Sequence, residues 1–286
     1  MNSHVFDSVF RTLAQKTPYL FIELINEAFG TEYTRKTKPE QLRNEFYEKG
    51  GKVVTDSVYR IGRYLYHLEC QSTQDGKMVL RMFQYDFYIA IEQAAKNNQL
   101  QKVELPQSCV LYLRSTRNTP QVLRTELVQD DRSMVYESQV IKMSDYTMDT
   151  LFRKKLIILI PFYLLKYEKV LQKKQLSPEM SNELIEDCKE IALAMRQNKE
   201  ITEQEYIDVM DAFGKITSYV LRKHHKTNEE VKRVMGGEIY ETASEKLLKK
   251  GRKEGRAEGR AEGERDTLIS LFTKGIITDE QASEQL

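Results

Sequence analysis

Cysteine is scarce. The three present, Cys70, Cys109 and Cys188, are too few, too scattered and odd in number for a disulfide framework. They also lack the paired spacing of a zinc site and read as structural thiols in a reducing cytoplasm. Long hydrophobic runs are missing as well. The longest, Leu156–Leu165, is ten residues broken by Pro161, whereas a membrane helix needs about 20. The opening Met1-Asn-Ser-His-Val-Phe-Asp-Ser8 has no basic stretch leading into an apolar block, so no secretory signal is visible. A cytoplasmic chain with no membrane partner is expected. Excess charge of one sign is absent too: 44 Lys and Arg stand against 43 Asp and Glu, leaving +1. That balance excludes a globally basic DNA wrapper and confines any nucleic-acid footprint to a local patch. No glycine-rich phosphate loop occurs, because Gly50-Gly51 and Gly236-Gly237 lack the lysine and hydroxyl context. Nor does any local signal assemble a Ser or Cys nucleophile with a positioned His.

What is present is organised in two styles. Val9, Leu13, Leu20, Leu24, Ile25 and Phe29 fall at mixed helical spacings, Pro18 starts a second turn of helix, and Gly30 is placed to stop it. Residues 31–50 are polar and read as a connecting loop. Two β-rich runs, Val53–Ile61 and Tyr64–Ser72, precede a helix over Met78–Lys96 with Val79, Phe83, Ala90, Ile91 and Ala94 on one face. Cys109–Arg114 reads as a buried strand, and Val122–Val128 with Met134–Met143 as a hairpin. After Ser144 the period becomes helical. Asp149–Gln172 reads as a buried helix kinked at Pro161. Ser177-Pro178 marks a helix start, and Thr202–Glu205 and Thr227–Glu230 each fit a capping box. The tail repeats Gly251-Arg-Lys-Glu, Gly255-Arg-Ala-Glu and Gly259-Arg-Ala-Glu. Two readings stand for it: a helix whose glycine stripe admits a partner helix, or a solvated linker weakened by its glycines.

The chemistry concentrates between Thr55 and Gln71. With Gly62-Arg63 as a two-residue loop, glycine supplies the positive φ that a type II′ turn needs first. Asp56 then faces Glu69, Val58 faces His67, and Arg60 faces Leu65, while Gln71 emerges on the face of Glu69. Directly opposed side chains have Cβ atoms about 4.5–5.5 Å apart, and like charges there destabilise a hairpin. A hard divalent cation, Mg²⁺ or Mn²⁺, between the carboxylates resolves that repulsion and brings phosphodiester hydrolysis within reach. Gln71 is placed to orient the attacking water or the phosphate. The alternative is a solvated hairpin edge carrying incidental acids, since a one-residue slip moves Glu69 to the other face.

This pattern, an Asp followed across two strands by Glu-x-Gln and then an amphipathic helix, resembles the PD-(D/E)xK nuclease superfamily in its Glu-x-Gln form. More narrowly, it resembles the bacterial recombination-promoting nuclease (Rpn) and putative transposase family. The carrying residues are Asp7–Leu13, Ile25–Gly30, Thr55–Ser57, His67–Ser72, Asp75–Met78, Arg81–Asp86, Val234–Gly237 and the closing Gly-Arg-x-Glu runs. The resemblance implies a restriction-endonuclease-like α/β core of mixed sheet and flanking helices. It also implies a metal held by Asp56 and Glu69, with the Cys70 main-chain carbonyl as a further ligand, and DNA as the substrate. Gln71 stands where the superfamily usually carries lysine, which removes a fixed positive charge near the scissile phosphate.

Around that core, Arg81 and Tyr85 lie four apart on the helix after the hairpin. They read either as contacts to the DNA backbone or as an ordinary surface pair. His67-Leu68-Glu69 matches half of a zinc deaminase signature whose Pro-Cys-x-x-Cys half is missing. His224-His225 reads as a helix-end pair.

The expectation is a nuclease-like domain over 1–145, a helical region over 146–250 and a repeat-bearing helical tail over 251–286. The expected function is Mg²⁺-dependent DNA endonuclease activity linked to recombination or mobile DNA. The alternative is a weakly active or inactive DNA-binding and assembly protein that forms a homo-oligomer through its C-terminal helices.

Overall fold

A computed structural model describes residues 4–43, 45–48, 51–96, 102–172 and 176–236. The Gly-Arg-Glu repeat, the rest of the expected 251–286 tail and residues 237–250 lie outside the described residues. Met1–Val234 form one compact unit and Met235–Leu286 another. The change from mixed to helical structure near residue 145 lies within the first unit.

Helix α1 (His4–Lys16) buries the expected Val9 and Leu13, and with them Phe6 and Phe10. A 3-10 turn at Pro18–Leu20 leads into α2 (Phe21–Phe29). This helix ends at Gly30, whose φ of +64° lets its N–H reach the Asn26 carbonyl. The expected loop over 31–50 instead contains strand. β1 (Glu40–Gln41) joins the main sheet, and β2 (Glu45–Glu48) pairs with β3 (Gly51–Val54) in a small ladder of its own. A two-residue polar edge strand has no alternation to read, which is why it escapes a periodicity argument.

β4 (Ser57–Ile61) and β5 (Tyr64–Gln71) pair in the expected register, Val58 with His67 and Arg60 with Leu65. Gly62 has φ +59° while Arg63 does not enter positive φ, the pattern of a type II′ turn. Helix α3 (Met78–Lys96) keeps its expected bounds, but its buried face differs. Met78, Met82, Asp86, Ile89, Ala90, Gln93 and Ala94 are buried, whereas Ile91 is exposed and Val79 and Phe83 are half-buried. The polar Asp86 and Gln93 sit on the core side, so a purely apolar pattern misplaces the face by about one residue.

β6 (Gln107–Tyr112) runs parallel to both its neighbours, and burial from both sides explains its unbroken apolar run. β7 (Val122–Gln129) and β8 (Arg132–Lys142) form the expected hairpin with a tighter turn. Only Asp130-Asp131 separate them, with Asp130 at φ +51°. The fold is therefore α/β, with a mixed six-stranded sheet in the order β1-β4-β5-β6-β8-β7 flanked by helices.

One sheet face packs against α3 through Met78, Met82, Val110, Tyr112, Leu123, Tyr136 and Val140. The other meets α1, where the Tyr59 hydroxyl donates to the Ala14 carbonyl at 2.9 Å. The expected helix over Asp149–Gln172 is broken. α4 (Met148–Arg153) ends where Lys155 takes φ +58°. An eleven-residue 3-10 segment over Ile157–Tyr167 follows, then the short α5 (Glu168–Leu171). Pro161 cannot donate to an α-helical ladder, and burial of the apolar side chains around it holds the tighter winding in place.

α6 (Pro178–Gln197) starts at a Ser177 cap and α7 (Glu203–Val220) at the Thr202–Glu205 capping box, both as expected. α8 (His225–Gly236) begins before Thr227, so no box forms there. The Thr227 hydroxyl instead meets Ser181 of α6 at 2.9 Å. Among the described residues, no helix is long and apolar enough to cross a membrane.

Candidate active site

The β4–β5 register carries the site. Asp56 lies one residue before β4, opposite Glu69 on β5, and each is 5% exposed. They are tied reciprocally through the backbone. The Asp56 N–H donates to Glu69 Oε2 at 3.0 Å, and the Cys70 N–H donates to Asp56 Oδ2 at 2.8 Å. Burial pushes the Asp56 carboxyl well above the usual range, and the charge of Glu69 pushes it further. The Cys70 N–H and Arg11 act in the opposite direction.

Two further residues come from α1. Arg11 Nε lies 3.5 Å from Asp56 Oδ1, and Asp7 adds a third negative charge acting on Asp56. Sequence reasoning did not assign a role to either. The signal is their i, i+4 spacing on a helix whose remaining face is apolar. Asp86 was also missed, and its signal is an acid at a core-facing position of α3. It accepts hydrogen bonds from His67 Nδ1 at 2.7 Å, from Tyr136 OH at 2.5 Å and from the Ser108 hydroxyl.

His67 is fully buried between Asp86 and Glu69, with Nε2 at 3.4 Å from Glu69 Oε2. Burial alone would lower its pKa, yet hydrogen bonds to the two carboxylates raise it to about 10. Both ring nitrogens lie against carboxylate oxygens, which leaves neither turned toward a metal.

The other expected residues divide. Gln71 is half-buried, and its Nε2 donates to Glu69 Oε1 at 3.4 Å, so its amide is beside the pair. Tyr85 joins the site: its ring meets His67 edge-on at 6.2 Å, and burial, then Glu69, push its phenol up. Arg81 is one turn earlier, with Nη1 at 3.4 Å from Asp75 Oδ2 and Nη2 at 2.8 Å from Met78 Sδ. Its Nε is buried with no hydrogen-bond partner. The Cys70 thiol is buried and pushed up by burial and by Asp56, so only its main-chain carbonyl is available as a ligand. His224 is buried, with Nε2 2.8 Å from the carbonyl of Leu171, the last residue of α5. It serves a helix C-terminus, though of a different helix from the one it follows.

Among the described residues, no three or more His, Cys, Asp or Glu form a metal-holding group. A closed zinc-type cage is therefore not what these residues build. Mg²⁺ instead binds through one or two carboxylates, waters and substrate phosphates. A buried Asp–Glu pair, in which the charge of Glu69 helps push the Asp56 carboxyl up, fits that mode. No family model matches the chain, and no curated protein or solved structure matches it.

Proposed function

We propose that this chain is a divalent-metal-dependent DNA endonuclease of the PD-(D/E)xK superfamily, of the Rpn and putative transposase type. The observation that carries the reading is the buried Asp56–Glu69 pair, two like charges opposed across a tight hairpin. The order of a β4–β5 hairpin, a crossover helix and a parallel β6 also fits the restriction-endonuclease-like core that the resemblance implies.

In this reading Asp56, Glu69 and the Cys70 carbonyl would hold Mg²⁺ or Mn²⁺. A bound ion of this kind polarises a phosphoryl oxygen and acidifies its water. The residues of the chain do the remaining work. The imidazolium of His67 fixes the Glu69 carboxylate, the Gln71 amide orients the attacking water or the phosphate, and Arg11 offsets the charge on Asp56. The partly exposed Arg81 guanidinium and the Tyr85 hydroxyl meet the DNA backbone. A link to recombination or mobile DNA rests on the resemblance alone.

The test is plasmid cleavage by wild type and Asp56→Ala with Mg²⁺, with Mn²⁺ and with chelator. Metal-dependent nicking that the variant loses, with DNA binding kept, supports the reading. A folded wild type that cleaves with neither metal sinks it and favours a DNA-binding and assembly protein.

A further inference from the structure

β7 is the last strand of the main sheet, and among the described residues no strand pairs with its outer edge. Long exposed edges are usually interrupted by proline, lysine or a bulge. This edge has no proline, lysine or bulge across eight residues, its two charges, Arg124 and Glu126, are opposite in sign, and its ladder to β8 runs unbroken from Val122↔Gln139 to Gln129↔Arg132. Val128 on it is 68% exposed.

The strand is also a chemical palindrome: Val122-Leu123-Arg124-Thr125-Glu126-Leu127-Val128. Reading outward from Thr125, arginine mirrors glutamate, leucine mirrors leucine and valine mirrors valine. The backbone phase agrees with that centre. The Val140 N–H donates to the Gln121 carbonyl at 3.0 Å, so odd-numbered β7 residues direct their backbone groups at β8. Those of Val122, Arg124, Glu126 and Val128 therefore face the free edge.

We propose that β7 pairs antiparallel with β7 of a second copy about a twofold axis through Thr125, joining the two sheets. Arg124 of each copy then faces Glu126 of the other and exchanges backbone hydrogen bonds with it, as Val122 does with Val128. On the α3 side, Leu123 meets Leu127 and the two Thr125 residues meet each other. Moving the axis one residue either way sets arginine opposite arginine or glutamate opposite glutamate, so charge selects the register. Arg124 already contacts Glu137 within its own chain at 2.6 Å, and Glu126 of the second copy adds an acid on its other side.

Sedimentation velocity on the full chain tests this. Wild type dimerises, and Glu126→Arg, which opposes two arginines, raises the dimer Kd about 10-fold. Adding Arg124→Glu to that variant restores it, and circular dichroism checks that each variant is folded. Thr125→Cys gives a disulfide-linked dimer on mild oxidation, whereas Leu127→Cys, whose partner is Leu123, does not. The native cysteines are all buried and leave the added thiol as the accessible one. A wild type that stays monomeric to about 0.1 mM overturns the proposal. A dimer that survives Glu126→Arg and leaves Thr125→Cys unlinked also overturns it, because that dimer uses another surface.

Discussion

Asp56 and Glu69 are held face to face by the backbone, the N–H of Asp56 donating to Glu69 Oε2 at 3.0 Å. The arrangement keeps two buried acids adjacent at a cost. Burial and the Glu69 charge raise the Asp56 pKa in the folded state, so the native chain binds that proton more tightly than the unfolded chain does. Stability therefore falls as pH rises from the ordinary carboxylate range through the raised value. Asp56→Asn keeps an acceptor for the Cys70 N–H and removes the charge. The metal-free variant should melt at a higher temperature than wild type at pH 7 and should gain nothing from added Mg²⁺, whereas wild type should gain. Differential scanning calorimetry with and without Mg²⁺ reads both.

His67 works in the opposite sense. Its folded pKa is raised to about 10, so the stability it adds is fully present below its ordinary value of 6.5. That stability is lost as pH climbs through about 10. His67→Gln leaves Asp86 and Glu69 buried without their cation, a change expected to cost about 3–5 kcal/mol. Urea unfolding at pH 6, 8 and 10 should find the gap between wild type and variant narrowing with pH. A gap that does not change with pH would mean that His67 is neutral.

Much of this was legible in the sequence, for identifiable reasons. Gly62 and the alternation around it set the hairpin register, and with it the opposition of Asp56 and Glu69. The Met78–Lys96 helix and the β6 strand followed from period and run length. The face of α3 did not, because Asp86 and Gln93 occupy core positions that only a buried network can accommodate. The broken helix over 148–171 was hidden as well, since apolar spacing cannot separate a 3-10 winding from an α-helix around one proline. The i, i+4 spacing marks Asp7 and Arg11 as a polar pair on α1, but that they act on Asp56 follows only from the packing of α1.

The turn can be tested apart from the chemistry. A Cβ built on Gly62 meets no atom within 4 Å, so any penalty there comes from its φ of +59° alone. Gly62→Ala should destabilise the fold by about 1–2 kcal/mol. If the turn only sets register, cleavage by the folded fraction should be unchanged. Thermal unfolding and activity normalised to folded protein separate the two effects.

Gln71 is half-buried and donates to Glu69 Oε1 at a long 3.4 Å, so little of the fold depends on it. Its expected work is at the reacting phosphate, where losing one positioned donor costs about 10²–10³ in rate. Gln71→Ala should therefore cut kcat by about that factor while moving the melting temperature little. Gln71→Lys should keep activity, since an ammonium at that position serves the same phosphate. Single-turnover cleavage of a labelled duplex reads the rate directly.

Arg81 gives the sharpest test of the DNA-facing side. Its Nε is buried and unpartnered, whereas Nη1 is 3.4 Å from Asp75 and Nη2 touches the Met78 sulfur. The side chain is nevertheless partly exposed and its ion pair with the exposed Asp75 is long, so the outer guanidinium nitrogens can turn to a phosphate oxygen brought by the proposed reaction. Each neutralised phosphate contributes about 0.9 to the slope of log affinity against log salt on duplex DNA. Arg81→Gln should weaken binding across unrelated sequences alike and reduce that slope by about one. Fluorescence anisotropy over a salt series measures it in Ca²⁺, so that cleavage does not intervene. A slope identical to wild type would assign Arg81 to its contacts with Asp75 and Met78 instead.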